Sequence, residues 1–281
     1  MTHTHLQSSV PTAALVTGCS SGIGRATAIV LAQSGFTVWA SARKADAIKD
    51  LEDAGCRTIE LDVDDENSRK EAVATITAAQ GHVGLLVNNA GYSQPGAIEE
   101  LPLQEYRAQF DTNVFGLVHL CQLVLPGMRA AGAGSIVNLG SGAGLVAPPL
   151  SSAYAMSKYA LEAFSDSLRF ETARFGIRTI LIEASAIKSS FTDTLERALP
   201  TQTDDSAYRV VMRNVMRFAR NEGDSGIPPE RVANTIVRAV LSRRPRARYK
   251  VGSQAHIAPF ARRLLGDRLW DGVMARLVRA E

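Results

Sequence analysis

A tyrosine and a lysine four residues apart form the part of this sequence best suited to chemistry. Tyr154 and Lys158 lie in the stretch SSAYAMSKYALEAF, residues 151–164. On an α-helix, residues at this spacing lie one above the other, so the phenol and the ammonium could serve one site. A phenol with a pKa of ~10 is a slow proton donor at neutral pH, and a nearby positive charge lowers that pKa. The pair predicts general acid–base catalysis; the alternative is a chance pair on a solvated helix, with Tyr154 a packed aromatic residue.

A serine upstream of the pair is a candidate for the same site. Ser141 closes the apolar run GSIVNLGS, thirteen residues before Tyr154. Its hydroxyl could donate a hydrogen bond that holds and polarises a substrate carbonyl. The alternative is a turn residue at the end of a strand. Tyr159, next to the lysine, faces another direction on the helix and is expected to be structural.

The elements that must position these residues follow from the alternation of apolar runs with helical patterns. Runs that are apolar throughout favour strands buried on both faces, and strand–helix alternation makes such strands parallel. The sequence therefore predicts a single doubly wound α/β sheet of the Rossmann type, flanked by helices. The predicted strands are AALVTG (13–18), FTVWASA (36–42), RTIELDV (57–63), VGLLVNNAG (83–91), GSIVNLGS (134–141) and RTILIEA (178–184).

A glycine-rich turn joins the first predicted strand to the first predicted helix. In TGCSSGIGRA, residues 17–26, the glycines are Gly18, Gly22 and Gly24. They permit a tight turn and let backbone N–H groups approach a pyrophosphate at the positive end of the helix. Strand, glycines and helix come in the required order, which indicates a nucleotide site rather than a plain turn.

The end of the second strand distinguishes between the two nicotinamide cofactors. An acidic residue there binds the ribose 2′-hydroxyl of NAD, whereas a basic residue accommodates the 2′-phosphate of NADP. Ala42 stands at the position of the acid and Arg43 follows it. A guanidinium can bind phosphate oxygens in a bidentate manner, so NADP(H) is the expected cofactor. The alternative is that Arg43 only solvates the start of a helix.

Composition and charge exclude several classes of protein. Hydrophobic residues make up 46% and charged residues 21%, as in globular proteins, and the net charge of +3 is too small to indicate a nucleic-acid partner. The cysteines Cys19, Cys56 and Cys121 have no metal-ligand spacing, which predicts no metal site and a reducing compartment. Residues 1–12, expected to be flexible, lack the apolar core of a signal peptide. We expect a cytoplasmic protein.

An ordered series of motifs over residues 12–192 resembles the short-chain dehydrogenase/reductase family. The series comprises TGCSSGIG (17–24), Asp62-Val63, NNAG (88–91), Asn113, Ser141 and the YxxxK pattern of residues 154–158. The resemblance implies the catalytic residues Asn113, Ser141, Tyr154 and Lys158, with Lys158 also binding the nicotinamide ribose and Asn113 holding a water in a proton relay. It implies these cofactor-binding residues: Gly18, Ser20, Ser21, Gly22, Ile23, Gly24, Arg43, Asp62, Val63, Asn89, Ala90, Gly91, Tyr154, Lys158, Ile187 and Ser189. The alternative for Asn113 is a buried amide that satisfies backbone groups.

One departure from the family pattern follows the sixth strand. The family usually has Pro-Gly there, followed by a hydroxyl residue near the nicotinamide carboxamide, whereas this chain reads EASAIKSSF with Ala184 and Ser185. Ile187 and Ser189 still match the pattern. Losing Pro and Gly frees φ at one position and restricts it at the next, which puts the exact pose of the nicotinamide in question.

The motifs together predict an NADPH-dependent oxidoreductase that interconverts a ketone or aldehyde and an alcohol by hydride transfer. The alternative is a non-catalytic NADP(H)-binding sensor or scaffold, since a fold alone does not imply a function. The dehydrogenase domain is predicted over residues 13–252, with a substrate lid over 189–229. The lid contains a Met-rich apolar stretch, Tyr208 to Phe218, which favours a lipophilic substrate. The resemblance to hydroxysteroid and retinol dehydrogenases favours it too, and we expect a homo-dimer or homo-tetramer.

The C-terminal extension, residues 253–281, is predicted to be a basic amphipathic helix. From Arg243 onward, ten basic residues oppose three acidic ones. An apolar stripe at three- and four-residue steps runs beside the arginines; it consists of Leu264, Leu265, Leu269, Trp270, Val273, Met274, Leu277 and Val278. One interpretation is a helix that docks on the body or on a second subunit. The other is a peripheral contact with an anionic membrane surface.

Overall fold

The computed structural model describes residues 13–188, 195, 198 and 206–279. Within these residues, seven strands form one parallel sheet in the order β3-β2-β1-β4-β5-β6-β7. The strands are β1 (Ala13–Val16), β2 (Thr37–Ala42), β3 (Arg57–Glu60), β4 (Leu85–Asn88), β5 (Gly134–Leu139), β6 (Ile177–Ala184) and β7 (Arg248–Val251). The predicted doubly wound parallel sheet is confirmed. The seventh strand was not predicted, because its sequence RYKV is short and mostly polar.

Helices cover both faces of the sheet. They are α1 (Gly22–Gln33), α2 (Glu66–Gln80), α3 (Leu103–Phe110), α4 (Gly116–Ala131), α5 (Ser152–Thr172), α6 (Arg209–Asp224), α7 (Pro229–Leu241) and α8 (Gln254–Arg279). A 3₁₀ helix spans Ala45–Glu52, and a π-helical turn at Asp111–Phe115 joins α3 to α4.

Two buried apolar clusters lie on opposite faces of the sheet. The first joins α1 and α7 to the strands through side chains such as Leu31, Ile236 and Val240. The second joins α2, α4 and α5 to the other face through side chains such as Ile76 and Leu120. Strands such as β1 are buried along their whole length, and each large apolar side chain removed from water contributes about 1.5–3 kcal/mol. The all-apolar strands of the sequence are therefore central strands.

Buried polar contacts fix α5 against the sheet. The Asn88 amide donates to Asn138 Oδ1 at 3.0 Å, and Asn138 Nδ2 donates to Ser165 Oγ of α5 at 2.9 Å. On the edge strand β7, the Arg248 guanidinium donates to Glu162 of α5 at 3.0 Å. Because these bonds join β4, β5, β7 and α5, the middle of α5 has a defined place above the sheet.

The segment Leu103–Ala131, which combines α3, the π-helical turn and α4, is long and apolar enough to cross a membrane by length and composition. The same criterion is met by core helices of globular proteins. Here the buried side chains of α4, including Leu117, Leu120 and Val124, belong to the cluster that packs on the sheet. The segment is therefore a core helix of this fold.

The order of the sheet reverses direction between β1 and β4. Strands β2 and β3 follow β1 on one side, and β5, β6 and β7 follow β4 on the other. In open parallel sheets, the crevice outside the carboxyl ends of the strands at such a reversal is where ligands bind. The loops after β1, β4, β5 and β6 all reach this crevice.

Candidate active site

A cleft of about 1040 Å³ lies at the carboxyl ends of the strands. The turn after β1 and the end of β2 form one end of it, and the loop after β5, the start of α5 and the segment after β6 form the middle. Side chains of α6 and α8 complete the wall. Cofactor and substrate sites in proteins occupy roughly 300–1,000 Å³, so this cleft is large enough for a dinucleotide beside a small molecule.

The glycine turn is built to let a ligand approach its backbone. Gly18 has φ of +72° and Gly22 has φ of +56°, which are left-handed conformations that favour glycine. A Cβ on Gly24 would lie 2.3 Å from the carbonyl oxygen of Gly18, so the turn and α1 can pack this closely only with glycine there. The Asn89 amide donates to the Thr17 carbonyl at 2.8 Å and joins this turn to the end of β4.

The amino end of α1 opens on the cleft. Ser20, Ser21, Gly22 and Ile23 line it, and the residue that precedes the helix, Ser21, is extended. A helix amino terminus carries partial positive charge and N–H groups that are not used within the helix. The turn therefore fits a pyrophosphate, as the sequence predicts.

The end of the cleft nearest β2 and β3 carries both basic and acidic groups. Arg43 is exposed and lines the cleft beside Ala42, Asp62 and Val63. Asp64 also lines it and accepts a hydrogen bond from Thr112 Oγ1 at 2.9 Å. Burial raises the pKa of the Asp64 carboxyl. Asp64 was not predicted, because nothing in its local sequence distinguishes it from the carboxylates of a helix start.

Tyr154, Ser141 and Lys158 meet at the middle of the cleft. Tyr154 lies in the first turn of α5, and Ser141 precedes the short 3₁₀ turn Gly142–Gly144. The Ser141 hydroxyl accepts a hydrogen bond from the Ala143 amide at 3.1 Å. Lys158 Nζ lies 5.6 Å from the centre of the Tyr154 ring. All three line the cleft, as the sequence predicts for one shared site.

Burial shifts the pKa values of both Tyr154 and Lys158 toward the neutral form of each side chain. Burial raises the pKa of the Tyr154 phenol, and a hydrogen bond with Ser141 opposes that rise. Burial also lowers the pKa of Lys158 from 10.5 to about 8. The lysine ammonium donates to the carbonyl oxygen of Leu139 at 2.7 Å, at the end of β5. The hydrogen bond with Ser141 favours the phenolate, and the expectation that Lys158 also lowers the phenol's pKa stays a prediction.

Asn113 lies behind the cleft wall and not on it. It sits in the π-helical turn and is 2% exposed. Its Oδ1 accepts from the Tyr92 amide at 3.1 Å, and its Nδ2 donates to the Tyr92 carbonyl at 3.0 Å and to Ser157 Oγ at 3.1 Å. The side chain of Asn113 is therefore engaged in holding the loop after β4 against α5. Tyr92 and Ser157, its partners, were not predicted.

The structure brings most of the predicted site residues together. Those that line the cleft are Gly18, Ser20, Ser21, Gly22, Ile23, Arg43, Asp62, Val63, Asn89, Ala90, Gly91, Ser141, Tyr154, Lys158 and Ile187. Gly24 and Asn113 lie next to it without lining it. Ser189 falls outside the described residues. The roles of all these residues remain predictions.

The Ala184-Ser185 departure has a local structural setting. β6 runs on to Ala184, and the Ser185 amide donates to the Val251 carbonyl at 2.9 Å. A Cβ on Gly252 would lie 1.8 Å from Ser185 Oγ, so the serine side chain fills the space beside this glycine. Ala184, Ser185 and Ile187 all line the cleft. The segment therefore reaches the cleft while it stays paired with β7.

Two late elements complete the wall of the cleft. Phe218 and Glu222 of α6 line it, together with Gln254, Trp270 and Met274 of α8. Met212 and Met216 of the Met-rich stretch are instead buried and do not line it. The Gln254 amide donates to the Glu222 carboxyl, whose pKa is raised by burial. Glu222 and Gln254 were not predicted, since they belong to separate segments that only the fold joins.

Known proteins resemble this chain over nearly its whole length. A profile of the short chain dehydrogenase family matches residues 12–200. An uncharacterized oxidoreductase of Bacillus subtilis (strain 168), YusZ, is 35% identical over 94% of this chain and 97% of its own length. The NADPH-dependent 3-dehydrocapnine reductase of Ornithobacterium rhinotracheale is 32% identical over 92% and 95%. A solved short-chain dehydrogenase from Streptomyces avermitilis is 33% identical, with a TM-score of 0.78 over 95% of this chain and 94% of that one.

Proposed function

We propose that this chain, which belongs to the short-chain dehydrogenase/reductase family and is an oxidoreductase of that type, reduces a lipophilic ketone or aldehyde with NADPH or oxidises the corresponding alcohol. The observation that carries the proposal is the meeting of Ser141, Tyr154 and Lys158 in the cleft that begins at the glycine turn. A nucleotide placed on that turn would extend along the cleft toward these three side chains. A protein that only binds the cofactor would have no need of them.

Each of the three side chains has a different role in the reaction at the substrate oxygen. When bound, the nicotinamide supplies hydride to the carbonyl carbon or accepts it from the alcohol. Tyr154 donates a proton to the carbonyl oxygen in reduction and takes one from the hydroxyl in oxidation. Ser141 donates a hydrogen bond to the same oxygen and so stabilises the charge that develops there. Lys158, within 5.6 Å of the phenol ring, stabilises the phenolate left behind.

The preference for NADP(H) rests on Arg43. Its guanidinium lines the cleft just after β2, where the ribose of an adenine dinucleotide would lie, and Ala42 supplies no carboxylate. Bidentate binding of phosphate suits a planar guanidinium. The NADPH-dependent relative from Ornithobacterium rhinotracheale supports this choice.

The lipophilic character of the substrate rests on the other wall of the cleft. Val146, Pro148, Phe218, Trp270 and Met274 line it, and all are apolar or largely so. Apolar walls with a few polar groups at the reacting end are typical of sites for hydrophobic small molecules. Methionine adapts to irregular shapes, which suits a wall that closes over substrates of different outline.

A kinetic panel tests the proposal. The purified protein is assayed for NADPH and NADH consumption, by absorbance of the reduced nicotinamide, with aliphatic, aromatic and steroid ketones. We expect turnover to be faster with NADPH than with NADH, and KM to fall as the ketone becomes more apolar. Tight NADPH binding without turnover of any ketone, aldehyde or alcohol would favour the sensor or scaffold alternative instead.

A further inference from the structure

The helix α8 is bent into two parts at Gly266. This glycine has φ of 66° and ψ of 175°, outside the helical region, within a helix that otherwise runs over Gln254–Arg279. A Cβ at Gly266 would meet nothing within 4 Å, so the glycine serves the bend and not close packing. The predicted single apolar stripe is therefore divided between two segments with different orientations.

One face of α8 belongs to the cleft. Ala255 and Ala258 in the first segment and Trp270 and Met274 in the second all line it. Ala255 is fully buried, and the neighbouring Gln254 is hydrogen-bonded to Glu222 of α6. The start of α8 is therefore joined to α6, and side chains of both its segments reach the cleft.

Apolar side chains on other sides of α8 are exposed. Ile257, Phe260 and Leu264, at steps of three and four residues, are 62%, 68% and 73% exposed. Beyond the bend, Leu269 and Val273 are 63% and 43% exposed. Single exposed apolar residues are ordinary, but three at helical spacing before the bend and two after it give each segment of α8 an exposed apolar side that indicates an interaction surface. We call these five residues the outer stripe.

Arginines border the outer stripe. Arg263, Arg268 and Arg276 are exposed, and among the described residues none of them forms an ion pair with a carboxylate. The helix carries five arginines against two aspartates. Two copies of this face placed together would bring like charges into contact, whereas an anionic surface would neutralise them. The charge therefore favours anionic lipid over a second copy of the chain.

We infer that α8 is an interfacial cover, whose outer stripe lies in the surface of an anionic bilayer while Trp270 and Met274 on its inner face close the substrate cleft. Apolar side chains beside a row of arginines suit a helix that lies in the plane of the headgroups. A lipophilic substrate dissolved in the bilayer then reaches the cleft past α8 without crossing water. This inference deepens the proposed function and rests on it for the nature of the substrate.

Vesicle sedimentation tests the surface directly. Full-length protein is mixed with vesicles of phosphatidylglycerol and phosphatidylcholine, or of phosphatidylcholine alone, at low and high salt. We expect binding to the anionic vesicles only, weakened as salt screens the arginines. Phe260→Gln with Leu264→Gln should lower the partition coefficient at least about tenfold, because they remove apolar area from the interface. Ile98→Gln, at an equally exposed apolar residue elsewhere, should leave it unchanged.

A charge variant supplies a second measurement. Arg263→Gln, Arg268→Gln and Arg276→Gln together should abolish most of the salt-sensitive binding, since each basic residue near an anionic surface contributes to attraction. Arg243→Gln, Arg244→Gln and Arg246→Gln together, at three exposed arginines ahead of β7, are the matched control and should have little effect. All variants lie at exposed positions, and their melting curves show whether they are folded.

Kinetics separate this inference from the proposed function. Anionic vesicles should lower KM for a long-chain ketone that partitions into them, and should leave the kinetics of a short water-soluble ketone unchanged. Turnover of the soluble ketone without any vesicle binding overturns the interfacial cover and leaves the enzyme assignment intact. Vesicle binding without turnover of any ketone supports the surface and overturns the proposed function. A wild-type protein that never sediments, but forms a dimer that Phe260→Gln with Leu264→Gln dissociates, assigns the outer stripe to self-association and also overturns the inference.

Discussion

The reacting end of the cleft and its substrate wall are built in different ways. Ser141, Tyr154 and Lys158 come from two neighbouring elements that long-range buried contacts hold, among them the bond from Lys158 to the Leu139 carbonyl and the bond from Asn138 to Ser165. Much of the substrate wall comes from α6 and α8, and α8 keeps large apolar side chains exposed, such as Leu264 at 73%. The residues proposed to carry the chemistry therefore lie in the part of the molecule with long-range buried contacts. Those proposed to select the substrate lie in the part with fewer of them.

This difference predicts that substitutions in the two regions change different kinetic constants. At the reacting end, loss of one group should reduce kcat for every substrate. At the wall, loss of one group should change KM for some substrates and leave others unaffected. The following substitutions test the contrast, beginning with the one of largest expected effect.

Tyr154→Phe should remove turnover and leave NADPH binding nearly intact. The substitution deletes the proton donor, while the ring still packs in the first turn of α5. We expect kcat to fall by at least about a hundredfold, the usual worth of a positioned acid or base, for soluble and apolar ketones alike. NADPH titration by fluorescence measures binding separately. Tyr159→Phe, whose side chain is 40% exposed, is the control. A variant that keeps more than about a tenth of wild-type kcat, a loss below ~1.4 kcal/mol, excludes Tyr154 as the essential acid.

Arg43→Asp should shift the preference from NADPH toward NADH. It removes the proposed partner of the 2′-phosphate and offers the ribose hydroxyls an acceptor. Hydrogen bonds to charged groups contribute about 1.5–3 kcal/mol, so the ratio of kcat/KM for the two cofactors should change at least about tenfold. Lys44→Asp makes the same charge change one residue further on, at an exposed side chain. If the two variants give the same ratio, Arg43 has no special role.

The sequence predicted the reacting end better than the wall for a physical reason. Short sequence patterns predict the features of the reacting end because each depends on local geometry. The glycine turn needs a positive φ, Ser141 follows a strand end, and Tyr154 and Lys158 lie one helical turn apart. The buried strands were predicted for the same reason, since runs such as AALV are apolar throughout. Glu222, Gln254 and Trp270 meet only through the packing of α6 and α8, which no local pattern encodes. The bend at Gly266 was not predicted either, and it divides the apolar stripe that the sequence predicted for a single straight helix.

Trp270→Ala should alter the substrate wall and leave the reacting end of the cleft unchanged. It widens the cleft beneath α8 and removes apolar contact, so we expect KM for a bulky ketone to rise by about tenfold, while kcat for a small soluble ketone stays the same. Leu269→Ala removes a comparable apolar side chain from the outer stripe and should leave both kinetic constants in solution unchanged. Equal losses of kcat for both ketones in Trp270→Ala would mean that α8 supports the reacting end, and the contrast between the two regions would be wrong.

Lys158 allows a property of the reacting end to be measured without any substrate. Burial lowers its pKa from 10.5 to about 8, so between these values the folded lysine is neutral while the unfolded lysine is charged. The unfolded state then binds more protons, and the contribution of this lysine to the free energy of unfolding rises with pH across that window. Below about pH 8 both states are charged, and the contribution is constant. Urea unfolding of wild type and Lys158→Met should therefore show a difference in stability that moves in favour of the wild type as pH rises from about 8 to 10.5. The exposed Lys49→Met is the control and should show no such trend. A pH-independent difference for Lys158→Met would mean that the ammonium stays charged at the reacting end throughout this range, held there by the Leu139 carbonyl.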